Sequence, residues 1–203
     1  MSTRTKTALV LAIFLAAPFL ASYASAGDIK GTVSVQGIRS AKNIAVYVDA
    51  IPGKDFSAPT QPALMDQRNL KFTPHVLIVQ KGTTVEFLNS DLVRHNVNWP
   101  SISGNKKLAH NLGRWRKGQK NSFQFTEVGV APLLCNVHPV MSGYVVIVPT
   151  PYFALTHNEG SFEIKNVPAG KYVLNVWSEE GKPTTVPVTV GVGTATVELV
   201  VKK

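Results

Sequence analysis

Cys135-Asn136-Val137-His138-Pro139-Val140-Met141 sets a thiol, an imidazole and a thioether three residues apart, directly ahead of the apolar run Gly143-Tyr144-Val145-Val146-Ile147-Val148. Cys135 is the only cysteine in the chain, so no internal disulfide accounts for it. Forty residues upstream, Asp91-Leu92-Val93-Arg94-His95-Asn96-Val97 offers a second imidazole. Two histidines, one cysteine and a weakly held axial methionine are the donors of a blue-copper electron-transfer site. The expected ligands are therefore His95, Cys135, His138 and Met141, holding one copper ion that cycles between Cu(I) and Cu(II). Taken singly each has a plainer reading: Cys135 as a buried core thiol, Met141 as a gap-filler, His95 as a loop histidine. Only their order and spacing make them a set. His75, His110 and His157 lack such spacing and read as surface residues, His110 lying in the stretch that leads back to the site.

Outward from this loop the periodicity is that of strands. Ile29 to Val35, Ile44 to Val48, Val76 to Val79, Thr84 to Leu88 and Phe123 to Phe125 alternate or run apolar, as do Gly143 to Val148, Phe162 to Ile164, Tyr172 to Trp177, Val186 to Val190 and Ala195 to Val201. Gly, Pro and Asn clusters separate them, and no segment after the N-terminus keeps a helical period over three turns. The fold class is all-β. Two Pro-rich joints, 51–62 and Pro149-Thr150-Pro151, bracket the block with the ligands. That block, 61–149, has the size of one small sandwich. The flanks, about two strands before it and four after, close no sandwich separately but together supply the six or seven strands that one needs. The expected organisation is a discontinuous domain, 27–52 plus 151–203, with the ligand-bearing domain inserted into it.

Phe72-Thr73-Pro74, Gly82-Thr83-Thr84-Val85, His95-Asn96-Val97 and the Cys-x2-His-x2-Met loop together resemble the cupredoxins, with the short loop and Pro139 most similar to the amicyanin type. The resemblance implies a Greek-key β-sandwich and a hydrogen-bonding role for Asn96, which would clamp the strand ligand to the cysteine loop. It also implies an electron exit at the outer edge of His138, ringed by Pro139 and Val140. The flanks resemble the carboxypeptidase-regulatory, prealbumin-like sandwich through Gly160-Ser161-Phe162 and Pro168-Ala169-Gly170-Lys171-Tyr172.

The chain begins with Arg4 and Lys6, an apolar run from Ala8 to Leu20, and Ala24-Ser25-Ala26, which reads as a secretory signal over 1–26. The expectation is export to a periplasm, whether the segment is cut or kept as an anchor. Without it the formal charge falls from +9 to +7. Between Asp91 and Glu127 there is no acidic residue and there are seven basic ones: Arg94, Lys106, Lys107, Arg114, Arg116, Lys117 and Lys120. The last six form a candidate docking patch for an acidic redox protein, such as a periplasmic dehydrogenase or a c-type cytochrome. Contact with anionic lipid is a rival use of such a patch, whereas an exported protein has no nucleic acid to meet. The function expected is single-electron transfer, with copper storage, delivery or sensing as the alternative. Copper enzymes need further His-x-His or His-Cys-His runs, and this chain has neither, so no enzyme is expected.

Overall fold

The structure is a computed structural model that describes residues 25–203. The expected leader lies almost wholly outside the described residues. The central block forms nine strands: β3 (Ala63–Arg68), β4 (Lys71–Thr73), β5 (Val76–Gln80), β6 (Thr84–Asn89), β7 (His95–Trp99), β8 (His110–Trp115), β9 (Lys120–Gln124), β10 (Gly129–Leu134) and β11 (Ser142–Val148). The flanks form seven: β1 (Ala26–Val35) and β2 (Ala45–Val48) before it, then β12 (Phe153–Leu155), β13 (Ser161–Pro168), β14 (Gly170–Ser178), β15 (Gly181–Val190) and β16 (Gly193–Val201).

Both ends of the chain share sheets. β1 lies between antiparallel β13 and parallel β16, and β2 between β12 and β14 in the sheet β12-β2-β14-β15. Alternation decides what each face covers. Val46, Val48, Leu174 and Val176 point with Ile29, Val33, Ile164 and Leu199 into a core between these two sheets. Their neighbours Ala45, Tyr47 and Trp177 point the other way. There they meet Val146, Val148 and Tyr144 on the outer face of the central five-stranded sheet, β5-β11-β10-β7-β8. The inner face of that sheet sends Val145 and Ile147 into a third core with Met65, Phe87, Phe125, Cys135 and Met141, closed by the sheet β4-β3-β6-β9. Four sheets thus stack with three apolar layers between them. The joint after the copper-loop strand is anchored by buried Thr150, which donates through Oγ1 to Val48 O at 2.7 Å. The longer joint is pinned where Gln80 Nε2 donates to Ser57 O at 3.0 Å.

Six strands escape the apolar period: β3, β4, β7, β8, β10 and β12. β7 reads His-Asn-Val-Asn-Trp, its His95 and Asn96 buried at the site, and β8 reads His-Asn-Leu-Gly-Arg-Trp, its His110, Asn111 and Arg114 exposed. β10 carries Pro132, which argues against an interior strand. Its pairing with β7 is confined to Leu134 against Asn98, so Pro132 sits beside an unzipped stretch. His110, expected in a loop near the site, instead opens β8 opposite Trp99, four residues along β7 from His95.

Candidate metal centre

The four expected ligands sit where strands of one sheet end. His95 is the first residue of β7, fully buried against Trp115 of β8. Cys135 follows the last residue of β10, and Met141 precedes β11, its amide donating to His138 O at 2.9 Å to close the turn. Cys135 and Met141 are 3% and 1% exposed and belong to one apolar cluster. His138 is half-buried, while Pro139 and Val140 are open to solvent.

Three side chains converge on one point. His95 Nδ1 lies 3.0 Å from His138 Nδ1, and Cys135 Sγ lies 3.9 Å from each. An ion held about 2.0 Å from imidazole nitrogen and about 2.3 Å from thiolate sulfur requires donor separations of about 3–4 Å. The trio meets that requirement, and its mixed soft sulfur and imidazole donors suit copper. Among the described residues no other group of His, Cys, Asp and Glu side chains draws together in this way.

The surroundings orient the donors. His95 Nε2–H donates to Asp91 Oδ2 at 2.8 Å, which leaves the Nδ1 lone pair directed at the site. Asp91 is itself fixed from the β3–β4 hairpin, accepting from Asn69 N (2.7 Å) and Leu70 N (2.9 Å). Those two residues take positive φ, 54° and 58°, as a two-residue hairpin turn demands. Burial pulls the Asp91 pKa upward, but the two amides and His95 outweigh it and hold the carboxyl below its ordinary value. The sequence reading passed over Asp91. A carboxylate four residues before a candidate histidine ligand was the signal available.

Asn96 does more than its resemblance implied. Its Oδ1 accepts from Asn136 N (3.2 Å) and from Asn98 Nδ2 (2.8 Å), and its Nδ2 donates to Asn111 Oδ1 and Gly113 O, both at 2.8 Å. Its backbone amide points at Cys135 Sγ, 3.5 Å away. Asn98 Nδ2 reaches Leu134 O and Asn136 Oδ1, on either side of the cysteine. A mesh of four asparagines therefore ties β7 and β8 to the cysteine loop.

The expected docking patch is not one surface. Arg114 shares a groove with Asn96, Asn136 and Val137, and Arg116 and Lys117 lead into a turn whose Gly118 amide donates to Asn89 O, all at the ligand end. Lys106 and Lys107 occupy a short 3-10 turn beyond Trp99, where Ser103 N donates to Val130 O at the opposite end of β10. Lys120 is engaged by Glu86 at 2.7 Å. Charge counted along the sequence joined residues that the antiparallel β7–β8 pair sends to opposite ends of the sheet.

Residues 61–148 match the family model described as copper binding proteins, plastocyanin/azurin family. Amicyanin of Paracoccus denitrificans is 32% identical over 85 residues, which are 41% of this chain and 63% of that relative's length. Among solved structures, a reduced mutant of amicyanin is similar at 28% identity over 45% of this chain and 86% of its own, with a TM-score of 0.40. A copper-containing nitrite reductase from Thermus scotoductus SA-01 is similar at 24% identity over 51% of this chain and 25% of its own, with a TM-score of 0.42. Sheet order, a buried His–Cys–His trio and the family match agree: residues 61–148 form a cupredoxin β-sandwich similar to the copper-binding proteins of the plastocyanin/azurin family.

Proposed function

We propose that this protein is an exported electron carrier, taking one electron at a time from one redox protein and giving it to another. The observation that carries the reading is the trio itself: His95, Cys135 and His138 already converge at 3.0–3.9 Å, each held by strand ends or hydrogen bonds. Bound copper supplies the one-electron couple Cu(I)/Cu(II). The chain's part is to keep the donors still, so that little rearrangement accompanies a change of charge. Asp91 holds the His95 ring, the Asn96 amide faces the thiolate sulfur, and the Asn96 side chain fixes the loop that carries Cys135. Met141 supplies a fourth, weaker donor from the same turn.

His138 is the electron's route to the surface. Its half-buried ring lies beside exposed Pro139 and Val140, and Leu92 and Val93 are exposed on the loop that leads to His95. A low-polarity contact around a metal ligand excludes water and shortens the path for an electron. Arg94, Arg114, Arg116 and Lys117 favour an acidic partner, a dehydrogenase or a c-type cytochrome of the periplasm. Such a patch also suits an anionic membrane surface, and no described helix is long and apolar enough to cross a bilayer. The flanking strands resemble a carboxypeptidase-regulatory sandwich in sequence, and a scaffold role for it is part of this proposal.

The visible spectrum of the Cu(II)-loaded chain beside a Cys135→Ser control tests the reading. An intense thiolate-to-copper band, absent from the control and bleached reversibly by a reductant, is the expected result. A pale spectrum, or copper held equally well without Cys135, overturns it in favour of copper storage or delivery.

A further inference from the structure

Two charged elements of opposite sign flank the Cys135–Met141 loop, and one of them comes from the flanking sandwich. On the β8 edge of the five-stranded sheet stand Arg114, Arg116 and Lys117, all exposed, with Arg114 in the same groove as Asn136 and Val137. The opposite edge of that sheet is β5. Gly143, two residues past Met141, admits close packing there: a Cβ on it would lie 2.9 Å from Phe72 Cβ and 3.0 Å from His75 O. His75 in turn sets Nε2 at 2.9 Å from both carboxylate oxygens of Glu179, in the turn between β14 and β15. Tyr144 packs on His75 at 5.7 Å and on Trp177 at 5.0 Å between ring centroids. Burial raises the pKa of its hydroxyl, and the negative charges of Glu179 and then Glu180 raise it further. Glu180 is exposed, and the Glu179 side chain, though paired with His75, stays 32% exposed. Lys182 follows two residues after Glu180, and its amide donates to Lys202 O, which sets that lysine's backbone beside the turn.

We propose that the β14–β15 turn is an acidic docking element of the electron-transfer face, so that the redox partner presents acidic groups toward Arg114, Arg116 and Lys117 and basic groups toward Glu179 and Glu180. This rests on the carrier reading. The physical gain is orientation. A surface of one sign attracts a partner but leaves it free to turn about the contact. The positive pole stands at the β8 edge of the five-stranded sheet and the negative one beside His75 at the β5 edge, edges four strand spacings or about 19 Å apart; such a pair fixes that rotation and holds His138 between its poles. The His75–Glu179 contact and the Tyr144–Trp177 pair keep the turn beside the cupredoxin domain instead of letting it swing with the flanking sandwich.

The test uses the full copper-loaded chain, reduced and then oxidised in stopped flow by an anion, hexacyanoferrate(III), or a cation, tris(phenanthroline)cobalt(III). At low ionic strength a Glu179→Gln/Glu180→Gln variant should lose about two- to threefold in rate with the cation and none with the anion. An Arg114→Gln/Arg116→Gln variant should show the reverse, and both differences should vanish in high salt. Unchanged rates in the glutamate variant overturn the proposal. So does an equal fall with both oxidants, or an altered visible spectrum, since either marks a structural brace rather than a charged docking element. A parent chain that shows no blue band or exchanges electrons with neither reagent fails the carrier reading instead, and does so before any variant is compared.

Discussion

The two sandwiches of this molecule bury different things. The flanking one encloses aliphatic side chains with Phe162 and Tyr172 from regular, alternating strands, its buried polar residues being Thr150, Thr156 and Ser178. The cupredoxin one buries Asp66, Gln67, Gln80, Thr83, Asn89, His95 and Asn96 beside its aromatic core. Buried polar groups stabilise only when satisfied and cost about 1–3 kcal/mol each when not. A core that accepts so many gives up tolerance for the rigidity of a few positions; here His95 and Asn96 are at the ligand end, while Gln80 and Thr83 pin the far end beside the 51–62 joint. The difference separates a part built to be stable from a part built to hold a geometry.

The widest contrast comes from one substitution in each core. Leu174→Ala removes a fully buried side chain from the flanking sandwich and should cost about 2–5 kcal/mol in urea unfolding of the copper-free chain. The visible spectrum of the copper-loaded form should stay unchanged. Asn96→Ala removes four side-chain hydrogen bonds, two to β8, one to Asn98 and one to the cysteine loop. It should cost about 2–4 kcal/mol and also shift or weaken the charge-transfer band. Equal spectra for the two variants would erase the distinction between the cores.

A narrower effect sharpens it. Asp91→Ala leaves the donors in place but frees His95 Nε2 and two hairpin amides. Copper affinity, measured by competition with a chelator, should fall about 10–100-fold. Asp91→Asn should recover only part of that, because its single oxygen replaces one of the two carboxylate oxygens that accept from Asn69 N, Leu70 N and His95 Nε2, and its charge is gone. An affinity unchanged in both variants would remove Asp91 from the orienting shell.

The same contrast explains what was legible in the sequence. Strands of the flanking sandwich announce themselves, as β14 does in Tyr172-Val173-Leu174-Asn175-Val176, because nothing but burial selects their residues. The ligand set was legible because Cys135, His138 and Met141 are local, at fixed spacing on one turn. β7 and β8 were not, since His95, Asn96, Asn98 and Asn111 occupy positions where the period calls for apolar or solvent-facing residues. Asp91 and Glu179 differ in this respect. Asp91 stands four residues before His95, a local signal, although its anchoring by Asn69 and Leu70 comes from the distant β3–β4 hairpin; Glu179 acts on His75 across the two sandwiches, which no local pattern encodes.

The smallest expected effect lies at the seam. Burial, with Glu179 and Glu180 nearby, holds the Tyr144 pKa above the ordinary value of 10.0. Its neutral form is therefore favoured in the folded chain. That contribution is complete below pH 10 and is lost as pH rises through the folded value, because ionised Tyr144 would face two carboxylates between the sandwiches. Melting temperatures of the copper-free chain followed from pH 8 to 11.5 should fall less steeply for Tyr144→Phe than for the parent above pH 10, and the two slopes should agree below it. Parallel curves throughout would mean that the seam yields to water before Tyr144 ionises. The layer of Val146, Val148 and Trp177 would then hold the sandwiches together without help from the tyrosine's protonation state.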